Sequence, residues 1–134
     1  MNLADVMDEL GTALEAIEGL RVHPYYADRI APPSAVVGWP DPLDYDATMG
    51  RGADRVTLPV YVLVGKVDAR SARDRLAVYL DGSDSKSVKA ALDNGTYTAC
   101  DSVTVTSATV ESISVAGVEY LGGVFQVDIF GSGE

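Results

Sequence analysis

The sequence is poor in the residues that most often do chemistry. Among 134 residues there is one cysteine, Cys100, one histidine, His23, and one tryptophan, Trp39. A lone cysteine excludes an intramolecular disulfide framework and any zinc site built on several thiolates. A lone histidine leaves little room for imidazole acid–base work. Basic residues are scarce as well: 10 Lys and Arg stand against 20 Asp and Glu, giving a net charge of −10 and a pI near 4.3. DNA, RNA and anionic bilayers repel such a chain on average, so direct nucleic-acid binding is a poor expectation. No apolar run approaches the roughly 20 residues of a membrane span. The opening Met1-Asn2-Leu3-Ala4-Asp5 has neither the basic nor the apolar stretch of an export signal, and the chain is expected to stay where it is made.

What is present is a foldable core. With 47% hydrophobic residues, 22% charged and a mean hydropathy of +0.09, the chain fits one compact domain over residues 1–134. From Asn2 to Gly19, Leu3, Val6, Met7, Leu10, Leu14 and Ile17 recur at three- and four-residue steps, which predicts an amphipathic helix with Gly19 as its stop. Leu20–Pro24 and Ser34–Pro40 then read as short strands. The segment from Asp41 to Asp54 is rich in Asp, Gly and Pro and has neither period, so a long loop is expected there.

Arg55 to Lys66 carries the strongest strand signal, with Val56, Leu58, Val60, Val62 and Val64 on one face and Thr57, Tyr61 and Leu63 on the other. Pro59 inside it predicts an edge strand or a bulge, because proline cannot donate to a ladder. A second helix follows over Ala69–Leu80, with Arg70 and Asp74 placed for an i,i+4 pair, and a short third one over Ser85–Leu92. Ser102–Val115 and Val118–Phe130 form a long hairpin through Ala116-Gly117, with a glycine bulge expected at Gly122-Gly123 and a fraying tail over 131–134. The class is α+β: a mostly antiparallel sheet, two main helices on one face, and a long C-terminal β-hairpin.

Each candidate for chemistry has a plainer reading. Asp41, Asp44, Asp46 and Asp54 cluster, but the spacing does not match a calcium hand, which leaves a solvated loop or one ordered against a partner. Gly50-Arg51-Gly52 is too short for a phosphate cradle. Cys100 has no basic neighbour in sequence to activate it and reads as core filler. His23 lacks a nucleophile or carboxylate at a recognisable spacing. No catalytic residue, no metal site and no cofactor is expected, and the chain does not read as an enzyme.

The leftover features are an open β edge and hydrophobicity on both sides of the sheet. Leu121, Phe125, Val127 and Ile129 lie on one face of the last strand, while Val118, Tyr120, Val124 and Phe130 lie on the other, and two helices can cover only one. Closing copies of the chain into a ring would shield what remains. The succession Pro32-Pro33-Ser34-Ala35-Val36-Val37-Gly38, Leu58-Pro59-Val60-Tyr61-Val62-Leu63-Val64, Asp68-Ala69-Arg70-Ser71-Ala72, Leu76-Ala77-Val78-Tyr79-Leu80 and Tyr120-Leu121-Gly122-Gly123-Val124-Phe125-Gln126-Val127-Asp128-Ile129 resembles tail terminator proteins of long-tailed, siphovirus-type phages, especially those of actinobacteria. The likeness spans nearly the whole chain and is one of order and texture, without a catalytic signature.

The resemblance implies a virion protein, assembled in the host cytoplasm, that forms a homo-oligomeric ring, a hexamer, at the head-proximal end of the tail. Such a ring caps the tail tube, ends polymerisation of the major tail tube protein and joins a head-completion or neck protein. An acidic lumen would let the genome DNA slide through without specific binding. No membrane partner is implied. Loop length and exposure mark Asp44, Tyr45, Met49, Arg51, Pro59, Arg70, Arg73 and Tyr120 as interface residues. A head-completion or other neck connector protein is the alternative, and a small ligand-binding α+β domain the reading from another class.

Overall fold

Alternation of valine with polar residues makes strands here, and the longest alternating run becomes the middle of the sheet. The computed structural model describes residues 3–17, 19–23, 33–38, 43–44, 53–66, 70–81, 87–115 and 117–132. The elements run α1 (Leu3–Leu14), β1 (Arg21–His23), β2 (Ser34–Val37), β3 (Leu43–Asp44), β4 (Ala53–Lys66), α2 (Arg70–Leu80), α3 (Val88–Asp93), β5 (Ser102–Val115) and β6 (Val118–Ser132). The strands form one sheet in the order β1-β2-β4-β6-β5, with β3 pairing β4. Every pairing is antiparallel except β1 with β2. The α+β architecture and the C-terminal hairpin are as the sequence leads one to expect.

Val56, Leu58, Val60, Val62 and Val64 of β4 share a core with Phe125, Val127 and Ile129 of β6, and Val103 and Val105 of β5. Onto that face pack Val6, Leu10 and Leu14 of α1, Ala72, Leu76 and Tyr79 of α2, and Val88 and Leu92 of α3. All three helices therefore lie on one side. The first helix ends at Leu14, earlier than Gly19, but Ile17 stays buried in the turn that follows and Gly19 takes φ +84°, a conformation glycine adopts freely. The third starts later than Ser85, because the Ser87 hydroxyl caps it by accepting the Ala90 amide at 3.0 Å.

Several expectations need correction. β4 is central rather than an edge; the strand does carry the irregularity given as the alternative, at Leu63/Gly65, while Pro59 itself sits in register opposite Gln126. Its carbonyl accepts the Gly38 amide at 2.8 Å at the end of β2, so its missing donor forfeits only the return bond to Gly38, at the last rung of the β2–β4 ladder. Register shifts fall at Leu63/Gly65 in β4 and Val105/Ser107 in β5. Gly122 and Gly123 are instead places of close approach. A Cβ on Gly122 would lie 2.6 Å from Ile113 Cδ1 and 2.9 Å from the Val62 carbonyl oxygen, and one on Gly123 would lie 3.3 Å from a Leu76 methyl. The expected loop over 41–54 contains β3 and the first residues of β4, with its remainder outside the described residues. The expected fraying tail is strand as far as Ser132, because Gly131 and Ser132 pair with Asp54 and Ala53.

Two carboxylates tie helices to the rest. Asp93 of α3 accepts the Val105 amide at 3.0 Å, beside the irregularity in β5, and is paired with Lys89. Glu9 of α1 accepts the Thr98 hydroxyl at 2.7 Å and the amides of Thr98 and Ala99. The Thr98 hydroxyl holds the Glu9 carboxyl below its ordinary value; burial opposes it, and the Thr98 and Ala99 amides add to the lowering. A lowered folded pKa contributes stability that is present above the unfolded value and lost as pH falls through the folded one. Glu9→Gln is therefore expected to be less stable than the parent at pH 7, with the gap closing as the pH drops below 4.5 in parallel urea titrations. A gap that stays constant with pH would show that Glu9 contributes nothing through its charge.

Candidate interaction surface

The face of the sheet turned away from the helices has two halves. In one, Val36 of β2 and Leu63 of β4 are buried beneath Tyr61, Ile113 and Tyr120. Gly122 makes this possible, since Ile113 lies across the position a side chain would occupy. Val124, opposite Tyr61, is on the same side. No described helix lies over this patch; among the described residues, three half-buried side chains, two of them tyrosines, pack against it.

The other half is polar. Thr57 and Asp128 are directly opposite one another in the β4–β6 ladder, and the Thr57 hydroxyl donates to the Asp128 carboxylate at 2.7 Å. Arg55, on the diagonal, reaches the other carboxylate oxygen at 3.2 Å and places its guanidinium 5.8 Å from the centre of the Phe130 ring. The Arg55 side chain is 45% exposed and that of Asp128 only 17%. The sequence did not single out this trio, because the partners lie more than 70 positions apart and only the register brings them together.

Of the residues marked from the sequence, Tyr45, Met49 and Arg51 lie outside the described residues. Asp44 is opposite Arg55 in the β3–β4 pairing, at the polar end of this face. Pro59 and Tyr120 share the face, but Pro59 is level with Gln126, so the two stand roughly 20 Å apart along the strands. Arg70 and Arg73 belong to α2, in the opposite layer. Arg73 is exposed and paired with the neighbouring Asp74 at 3.0 Å; the Arg70–Asp74 pair expected from spacing rests on a side chain outside the described ones. Missed were Leu63 and Ile113, whose alternation marks them as turned away from the helices, and Arg55, Thr57 and Asp128.

Hollows on the helical side offer less. A groove of about 490 Å³ between α1 and the exit of α3 is lined by Ala13, Ala16, Ala91 and Glu9, whose carboxylate is already committed to Thr98 and Ala99. A smaller one of about 200 Å³ lies between Leu80, Lys89 and Ser107, and Lys89 is paired with Asp93. Cys100 is buried, and that burial first of all pushes its thiol up to about 11, which keeps it protonated and unreactive at neutral pH. Among the described residues no three side chains of metal-ligating type converge. Among the described residues this arrangement brings no nucleophile together with a base.

No protein-family model matches the chain, and no curated protein matches it.

The polar half makes a measurable distinction. A double-mutant cycle on Thr57→Val and Asp128→Asn is expected to give a coupling of about 1 kcal/mol, as for a shielded hydrogen bond to a carboxylate. The cycle on Arg55→Ala and Asp128→Asn should give only a few tenths of a kcal/mol, as for an exposed pair. Equal couplings in chemical denaturation would mean that the exposed guanidinium orders Asp128 as much as the hydroxyl does.

Proposed function

We propose that this chain is a structural virion protein that assembles into a ring on the end of a phage tail tube, stops the tube protein from polymerising further and provides the joint to the neck. The observation that carries this reading is the sheet face over which no described helix lies. A sheet of this length is packed on one side by three helices, and its other side presents an apolar patch of Tyr61, Ile113 and Tyr120 over Val36 and Leu63, with Arg55 and Asp128 at its polar end. A face of this kind is completed by another protein surface. The order of segments that resembles tail terminators supplies the identity of that surface: neighbouring copies, the tube and the neck.

The charge of the chain supports the same reading. At −10, an assembled ring would present a negative wall to passing DNA, which favours sliding over adhesion. Ring closure needs a head-to-tail contact between two different patches of one subunit, and the uncovered face gives one of them. The segment 41–54 and the β5–β6 hairpin are the expected contacts to the tube or the neck.

The test is arrest of tube growth. Purified protein mixed with polymerising tail tube protein is expected to cap tubes and shorten their length distribution in electron micrographs. Tyr61→Asp, at a half-buried position of the uncovered face, should lose most of that effect while keeping its circular dichroism. Tubes that grow to unchanged length would eliminate the terminator reading and favour a capsid-side connector. Full activity in Tyr61→Asp would show that the uncovered face is not the contact.

A further inference from the structure

The two margins of the described sheet differ greatly in length: β5 ends it with fourteen residues and β1 with three. Among the described residues, the rim of β5 is closed only at its start, where Asp93 takes the Val105 amide. Beyond the register shift, Thr106 to Ser112 are all exposed, and Val110 is 56% exposed. Among the described residues, β5 has no strand on its outer side. The stretch 107–114 also lacks the usual guards of an edge strand, having no proline, no lysine and a single charge, Glu111.

A rim of free amides and carbonyls at β spacing takes an extended polypeptide. The lengths of the two margins say which one. A head-to-tail join to β1 would pair three residues and leave most of β5 open, whereas a second β5 matches it along the whole exposed stretch. Directly opposed residues in an antiparallel pair share a face, so the two-fold axis of such a pair must pass through a residue. At Glu111 the axis would set two carboxylates against each other. At Val110 it sets two exposed valines together, puts Glu111 opposite the second copy's Thr109, and keeps the paired stretch clear of Val105, which Asp93 already holds.

We propose that residues 107–113 of β5 pair antiparallel with the same residues of a second copy of this chain, with Val110 on the two-fold axis. This contact goes beyond the ring, since a two-fold contact cannot by itself close one. It joins two chains, or two rings, through a surface separate from the uncovered face.

The test uses the full chain carrying Cys100→Ala, so that an introduced thiol is the only one. Under mild oxidation Val110→Cys is expected to go mostly to a disulfide-linked dimer, because twin residues at the axis have Cα atoms about 5 Å apart. Ser112→Cys should cross-link at least tenfold more slowly, since at this register its twin is displaced by four residues, roughly 13 Å along the strand. Val110→Lys should sediment as the smaller species with unchanged circular dichroism. Equal cross-linking at the two positions, failure of Val110→Cys to cross-link, or an unaltered dimer in Val110→Lys would each overturn the proposal. A parent chain that stays monomeric at every concentration would overturn it too, and would leave the rim to a strand from a different protein. The tube-arrest assay is scored separately and does not depend on this contact.

Discussion

The rest of the molecule depends on the pairing of β4 with β6. Thirteen residue pairs, from Ala53–Ser132 to Lys66–Tyr120, fix which side chains point to which face. Side chains alternate with a period of two, so a slip of one residue would carry Val56, Leu58, Val60 and Val62 to the far side and turn Tyr61 and Leu63 inward. The helices can settle only on the valine side, where Phe125, Val127 and Ile129 continue the same surface. One-sided covering is thus a consequence of the register, and the uncovered face follows from it.

Close packing on the helical side is fixed by small details at specific positions. Gly123 lets Leu76 come near the strand, and Gly122 lets Ile113 fold flat on the other face, so two adjacent glycines serve opposite sides of one sheet. Asp93 and Glu9 fasten α3 and α1 through backbone amides rather than through ion pairs between elements. Bonds of this kind hold a carboxylate in place at little entropic cost, since the amides are already ordered. The charge left over is mostly on the surface, where it serves solubility and long-range repulsion more than stability.

Much of this was legible in the sequence because it is local. The stripe of Leu3, Val6, Leu10 and Leu14, the valine alternation of β4, and the turn at Gly117, with its φ of +81°, each depend on neighbours within a few positions. What could not be read was set by partners far away. Pro59 looked like an edge because proline forfeits a ladder bond, and in the fold that loss falls on Gly38, at the last rung of β2 against β4. Gly122 and Gly123 looked like a bulge, yet their role is decided by Ile113 and Leu76. Of the interface residues named from sequence, Pro59 and Tyr120 fall on the uncovered face and Arg73 on the opposite layer, because exposure alone does not say to which layer a side chain belongs. Arg55, Thr57 and Asp128 become a unit only through the register.

The proposed work of this chain is the burial of surface against other chains. Amide hydrogen exchange reads that directly, element by element, in the unmodified protein. Exchange in 107–114 of β5 and around Tyr61 and Ile113 is expected to slow markedly as concentration is raised or tube protein is added, while the amides of α1 and α2 stay unchanged. Exchange in those segments that is the same in dilute, concentrated and tube-bound samples would contradict the account.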